Sequence, residues 1–205
     1  MPLFQPLRPL LFTLSLLLAL PAYSATLLVL GDSISAGYGI DRGKGWVELL
    51  QQQLGEQHQV VNASISGDTT GGGLSRLNTL IAEHQPDFVL IELGGNDGLR
   101  GYPIPRMKQN LQAMIELSRQ GDAQPILFAM RIPPNYGRRY SDQFAAAYTD
   151  LAEQAEVPML PFLFGDIATD RELLQEDGIH PTEEAQPLIA ERVRSILEPL
   201  LNGDH

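Results

Sequence analysis

From residue 25 onward, short apolar runs alternate with stretches whose apolar residues recur every three or four positions. Thr26 to Leu30 is a continuous run that stops at Gly31. His58 to Asn62 holds a Val pair and reads as a weaker strand. Asp87 to Leu93, bounded by Pro86 and Gly94, is the clearest strand, and Pro125 to Met130 is another. Val157 to Phe164 reads as a fifth, and its Pro158 and Pro161 suit an edge position because proline donates no ladder hydrogen bond. Between these runs the period changes. Trp46, Leu49, Leu50 and Leu54 share one helical face, as do Leu74, Leu77, Leu80 and Ile81. Met107, Leu111, Met114 and Ile115 mark a third helix. Phe144, Tyr148, Leu151 and Ala155 mark a fourth, with Ser141 as its expected cap. Leu188, Ile189, Val193, Ile196 and Leu197 mark the last. Pro187 disfavours a start at Thr182 and moves the expected start towards Gln186.

Strands that are apolar throughout, separated by amphipathic helices, imply a parallel sheet covered on both faces. The expected fold class is therefore α/β, a three-layer α/β/α domain with a parallel five-stranded sheet spanning residues 25–205. In such sheets chemistry sits beyond the carboxyl ends of the strands.

The first 24 residues follow a different pattern. Arg8 is their one charged residue, Leu10 to Leu20 is apolar apart from Thr13 and Ser15, and Ala22-Tyr23-Ser24-Ala25 supplies small residues. This is the order of an export leader, residues 1–24, and the apolar run is about half the ~20 residues a spanning helix needs. The mature protein is expected to be periplasmic or secreted, without a stable membrane anchor, and monomeric. With no cysteine, the chain has no disulfide, thiolate metal site or lipid-modified cysteine. Four scattered histidines argue against a metal centre. A formal charge of −11 makes nucleic acid a poor partner and gives no attraction to anionic headgroups.

Four segments carry candidate chemistry. Gly31-Asp32-Ser33-Ile34-Ser35 places Ser33 two residues past the first strand; alone it reads more readily as a turn serine, and it lacks the G-x-S-x-G form. Asn62 to Thr70 precedes Gly71, Gly72 and Gly73, and Gly67 lets its backbone N–H approach a ligand. Gly94-Gly95-Asn96-Asp97 offers a side-chain amide at the same edge. Asp177-Gly178-Ile179-His180 spaces an acid and a base so that the carboxylate can hold one ring nitrogen while the other faces outward. Together they supply a nucleophile, two oxyanion donors, and a base with its orienter, which is the set acyl transfer requires.

These segments, in this order, resemble the SGNH hydrolases, also called GDSL esterases, over essentially the whole mature chain. Asn96 together with the Asp177/His180 pair makes the match specific. The stretches 31–39, 94–101 and 134–140 are similar to an exported thioesterase and arylesterase branch. The resemblance implies a flavodoxin-like fold and a broad esterase, thioesterase and lysophospholipase repertoire on small acyl substrates. It also implies no metal or organic cofactor. Ser33, His180 and Asp177 would be catalytic, and the oxyanion hole would use the N–H groups of Ser33 and Gly67 with the Asn96 amide. Leu99, Arg100 and Tyr102, with Tyr136 from the 132–140 segment, are expected on the substrate side. Asp32 and Asp97 are expected to anchor loop backbone. Two other readings are a carbohydrate O-deacetylase on the same residues, and a non-catalytic periplasmic binding protein whose Gly71 to Gly73 hold a phosphate or flavin phosphate. The leader assignment has a direct check: exported protein should have the intact mass of a chain starting at Ala25, and a retained leader would refute it.

Overall fold

The structure is a computed structural model that describes residues 24–162 and 165–202. All of the assigned leader except Ser24 lies outside the described residues, as do Leu163 and Phe164 at the end of the fifth apolar run. The chain runs β1 (Thr26–Gly31), α1 (Trp46–Leu54), β2 (Gln59–Asn62), α2 (Thr70–His84), β3 (Phe88–Glu92) and α3 (Gly95–Leu99). It continues through α4 (Ile104–Gln120), β4 (Gln124–Phe128), α5 (Arg138–Ala155), β5 (Met159–Leu160) and α6 (Gln186–Leu201).

All strand pairs are parallel, in the order β2-β1-β3-β4-β5. Right-handed crossovers therefore put α1 on one face of the sheet and α2, α4 and α5 on the other. α1 packs with α6, α2 with α4, and α4 with α5, which makes three layers. Leu27 to Leu30 of β1 and Phe88 to Ile91 of β3 are all buried, as unbroken apolar runs require in a sheet covered on both faces. β2, at one edge, is only half-buried.

Proline positions follow the ladder. Even-numbered residues of β4 face β3, since Gln124 donates to the Asp87 carbonyl, while Leu127 and Ala129 donate to β5 at the carbonyls of Pro158 and Leu160. Pro125 belongs to the β5-facing set but precedes the point where β5 begins, so its missing N–H costs nothing. Pro158 and Pro161 bracket β5 and hold its ladder to two residues, much shorter than the apolar run suggests.

Two further expectations are corrected. α5 starts at Arg138, three residues before Ser141, with no side-chain cap. Gly137, at φ 97°, turns the chain straight into the helix, and the Ser141 N–H donates to its carbonyl at 3.0 Å. Gly71 to Gly73 form the first turn of α2, not a phosphate-holding loop. A Cβ on Gly73 would collide with Leu93 and come within 3.5 Å of Leu30, so the glycine sets how closely α2 approaches the sheet.

The two ends of the chain are tied together beneath α1. Gln186, 1% exposed at the start of α6, accepts the Trp46 N–H at 3.0 Å and donates to the Thr182 carbonyl at 3.1 Å. It thus occupies an otherwise open N–H at the start of α1, where Gly45 supplies no side-chain cap. Gln186→Ala should lower unfolding free energy by about 1–3 kcal/mol, because it leaves that buried donor unpaired. Urea unfolding checks this, and a loss below ~0.5 kcal/mol would contradict it.

Candidate active site

Connections leaving β1 and β3 go to opposite faces of the sheet, which opens a crevice between the carboxyl ends of these two strands. Ser33 and Asn96 both follow those ends. After Gly31 the chain bends into a tight turn in which Ala36 donates to the Asp32 carbonyl at 2.9 Å and Tyr38 to the Ser33 carbonyl at 3.0 Å. The turn fits because residue 31 is glycine: a Cβ there would lie 2.6 Å from Glu92 Oε2 and 2.7 Å from Ser35 Oγ.

The loop before α6 reaches back to this turn. Leu174 and Pro181 form an antiparallel bridge at its base. Gln175 donates to the carbonyls of Tyr38 at 2.8 Å and Pro181 at 2.9 Å, stapling the two loops together. At its tip, Asp177 Oδ1 accepts the N–H groups of Ile179 (2.8 Å) and His180 (3.0 Å), while Oδ2 lies 2.6 Å from His180 Nδ1. The other ring nitrogen, Nε2, lies 2.8 Å from Ser33 Oγ. The Tyr38 ring, 53% exposed, leans over the imidazole with centroids 4.6 Å apart. Burial is the largest influence on the Asp177 carboxyl and pushes it up. The hydrogen bonds from the His180 N–H, the His180 ring and the Ile179 N–H outweigh it and hold the carboxyl below its ordinary value.

Asn96 sits in the first turn of α3. The chain enters that helix through Gly94 at φ 116°, where a Cβ would collide with the buried Tyr148 hydroxyl, itself bonded to the Leu93 carbonyl at 2.8 Å. Asn96 Nδ2 donates to Asp32 Oδ2 at 3.0 Å, which uses one of its two amide hydrogens. Gly67 takes φ 79°, and its carbonyl accepts Arg100 Nη2 at 3.0 Å. Its loop is fixed by Asp68, which accepts the Thr69 N–H at 2.9 Å and pairs with Arg76 at 2.9 Å. Asp97 anchors the start of α2, accepting the Thr70 N–H at 2.9 Å and the Thr70 hydroxyl at 2.6 Å.

Below the serine lie two buried carboxyls. Glu92, 0% exposed, accepts the Asp32 N–H at 3.2 Å and the Ser35 hydroxyl at 2.7 Å through Oε2. Asp32, 2% exposed, accepts the Ile34 N–H at 3.1 Å as well as Asn96. Burial and the neighbouring Asp32 push Glu92 well above the ordinary carboxylate range. Burial likewise raises Asp32 to about 6, against the lowering effect of Ile34, His180 and Asn96.

The structure thus joins Ser33, His180 and Asp177 in one hydrogen-bonded chain and ties Asn96 and Gly67 into the adjoining loops. Asp32 and Asp97 hold backbone, as expected. Arg100 is engaged with Gly67, while Arg42 is solvated. Leu99 is half-buried against the core; Tyr102 and Tyr136 are exposed, and Tyr140 Oη lies near the carbonyls of Gly98 (3.3 Å) and Tyr102 (3.4 Å). Sequence reasoning missed Glu92, Arg76 and Gln175. Only Glu92 left a signal, as the one charged residue after Asp87 in an otherwise apolar strand. A cavity of about 870 Å³ lies away from this crevice, between residues 166–173 and α6, and contains none of these side chains.

Comparison with known proteins places this geometry in context. Residues 29–187 match the GDSL-like Lipase/Acylhydrolase family. The chain is 46% identical over 183 residues to "Thioesterase 1/protease 1/lysophospholipase L1" of Escherichia coli, covering 89% of this chain and 88% of that one. It is 51% identical over 173 residues to an arylesterase of Vibrio mimicus, covering 83% and 86%. Among solved structures, the psychrotrophic esterase EstA from Pseudoalteromonas sp., inhibited by monoethylphosphonate, superposes with a TM-score of 0.84 at 42% identity. That match covers 87% of this chain and 99% of the other.

The buried acids give a pH prediction. A carboxyl whose folded pKa is raised stays protonated in the native state where the unfolded chain has ionised. The contribution of Glu92 to native stability therefore falls as pH rises above about 4.5, the ordinary Glu value. Glu92→Gln keeps an acceptor oxygen for Asp32 and Ser35 without the charge. It should reduce the loss of stability between pH 4.5 and 8, measured by urea unfolding across that range. A slope equal to that of the wild type would contradict the assignment.

Proposed function

The chain belongs to the GDSL-like lipase/acylhydrolase family, and from that premise we propose that it hydrolyses acyl esters and thioesters through an acyl-serine on Ser33. It is an ester-cleaving enzyme, as its thioesterase, esterase and arylesterase relatives are named. The observation that carries the mechanism is the continuous chain from Asp177 to His180 to Ser33, with contacts of 2.6 and 2.8 Å.

His180 Nε2 takes the Ser33 hydroxyl proton as Oγ bonds to the acyl carbon. The carbonyl π electrons move to oxygen, giving a tetrahedral oxyanion. The N–H groups of Ser33 and Gly67 and the free amide hydrogen of Asn96 stabilise that oxyanion. Asp177, held ionised by its three hydrogen bonds, orients the ring and stabilises the imidazolium. The intermediate collapses as the carbon–oxygen or carbon–sulfur bond breaks. His180 returns the proton to the departing alcohol or thiol. Water then attacks the acyl-serine, with His180 again taking a proton and passing it to Ser33, and the acid is released.

The half-buried Leu99 and the exposed Tyr102 and Tyr136 follow β3 and β4 on the carboxyl edge of the sheet, and there they line the acyl side of the crevice. Arg100 braces the Gly67 loop from the same side. The lysophospholipid part of this repertoire is supported by the apolar character of Leu99, Tyr102 and Tyr136 and by the relative named lysophospholipase L1. Residues 1–24 act as the export leader. In support, Ala25 is buried and its N–H meets His58 Nδ1 at 3.3 Å, so the folded domain is anchored from that residue onward. No described helix is long and apolar enough to cross a membrane.

The test is hydrolysis of p-nitrophenyl esters from acetyl to palmitoyl, and of acyl-thioesters, by wild type, Ser33→Ala, His180→Ala and the double variant. Wild type should turn over. Each single variant should lose at least about 10³-fold, and the double should be no worse than the weaker single, because the residues act as a unit. A folded Ser33→Ala protein with near wild-type turnover would overturn the acyl-serine route.

A further inference from the structure

Asp32 makes no hydrogen bond to the Ser33–His180 pair, yet it is one of the most deeply buried acids in the crevice. Resting on the reading above, we propose that Asp32 is a positioning residue: as an anion it fixes which end of the Asn96 amide faces the substrate. An asparagine amide is nearly symmetric in shape, so a half-turn about its last bond exchanges a donor for an acceptor at the same place. In the oxyanion site one orientation supplies an N–H to the developing negative charge. The other presents a carbonyl oxygen to it.

An ionised carboxylate only accepts hydrogen bonds. With Asp32 Oδ2 at 3.0 Å, the side of the Asn96 amide that faces it must be the NH2 group. One hydrogen is spent on Asp32, and the second, in the same plane and directed away from Asp32, is left for the oxyanion. Asp32 is itself immobilised. Its Oδ1 holds the Ile34 N–H, and its own N–H is held by Glu92 Oε2, which also binds the Ser35 hydroxyl. The charged and titratable groups facing Asp32 are Glu92 from β3, Asp68 from the Gly67 loop, Tyr148 from α5 and His180 from the loop before α6. Burial pushes Glu92 well above the ordinary carboxylate range and Asp32 to about 6, so Asp32 is the one of the pair that ionises first.

Asp32→Asn tests the idea with little change of shape. Asparagine at 32 can present its own NH2 group to residue 96 and draw the amide oxygen round, reversing Asn96. Four proteins are compared on p-nitrophenyl butyrate, with kcat, KM and the urea midpoint measured for each: wild type, Asn96→Ala, Asp32→Asn, and the double variant. Asn96→Ala should lose about 10²–10³-fold in kcat. Asp32→Asn should lose a comparable factor in kcat with KM within about 3-fold, and its urea midpoint should not fall. The double variant should match Asn96→Ala within about 3-fold, because once Asn96 is gone Asp32 has nothing left to orient. A double variant lower than Asn96→Ala by the whole Asp32→Asn factor overturns the proposal, as does an Asp32→Asn enzyme with wild-type kcat. Near wild-type kcat in Asn96→Ala overturns both the oxyanion role and the positioning built on it. Additive losses remove the positioning alone and leave the enzyme assignment standing. Asp32→Ala, alone and with Asn96→Ala, repeats the cycle should Asp32→Asn fold poorly, and the same non-additivity is required of it.

Discussion

Acidic side chains that accept backbone N–H groups hold this crevice together, in the turn after β1, the Gly67 loop, the start of α2 and the His180 loop. Glu92 holds the turn after β1 through the Asp32 N–H. Asp32 holds Ile34 in the same turn and reaches across to Asn96. Asp68 fixes the loop carrying Gly67, Asp97 fixes the start of α2, and Asp177 fixes the tip of the His180 loop. A carboxylate suits this task because it accepts several hydrogen bonds at once and each is strengthened by its charge. Loops beyond strand ends have many unpaired N–H groups, so acids are the natural way to satisfy them without adding secondary structure.

Glycine sets the distances over which those acids act. Gly31 lets β1 pass close enough to Glu92 for the Asp32 bond to form. Gly73 lets α2 settle onto Leu30 and Leu93, which brings Thr70 within reach of Asp97. Gly94 turns the chain beneath the Tyr148 hydroxyl, so α3 begins where Asn96 can meet Asp32. A Cβ at any of these places would separate elements whose contact is needed one bond further on.

The apolar pattern was enough to expose the layered fold, because parallel strands buried on both faces leave uninterrupted runs such as Leu27 to Leu30. It overestimated β5, since apolar character extends past the prolines that end the ladder, and it placed the cap of α5 at Ser141, because a glycine entering a helix leaves no polar signature. Ser33, Asn96, Asp177 and His180 were legible through their order and spacing. Their supports were not. Arg76 and Gln175 look like ordinary polar residues in sequence, and only the folded chain shows that one braces Asp68 and the other ties Tyr38 to Pro181. The glycine triplet at 71–73 misled for the complementary reason: glycine marks either a mobile loop or a close approach, and the sequence does not say which.

The two aspartates nearest the reaction show how environment divides their work. Asp177 is partly exposed and holds three hydrogen bonds, so it stays ionised below the ordinary range. Asp32 is buried, and desolvation raises it to about 6 despite its own hydrogen bonds. Ionising Asp32 at neutral pH therefore costs native stability. That cost is borne in the resting enzyme. In the proposed mechanism the positive charge on His180 appears against Asp177, whose Oδ2 lies 2.6 Å from the ring. Asp32, bonded to the Ile34 N–H and the Asn96 amide, applies its charge to the amide instead. The same kind of side chain thus serves a proton or an amide according to which neighbour its loop brings within hydrogen-bond reach.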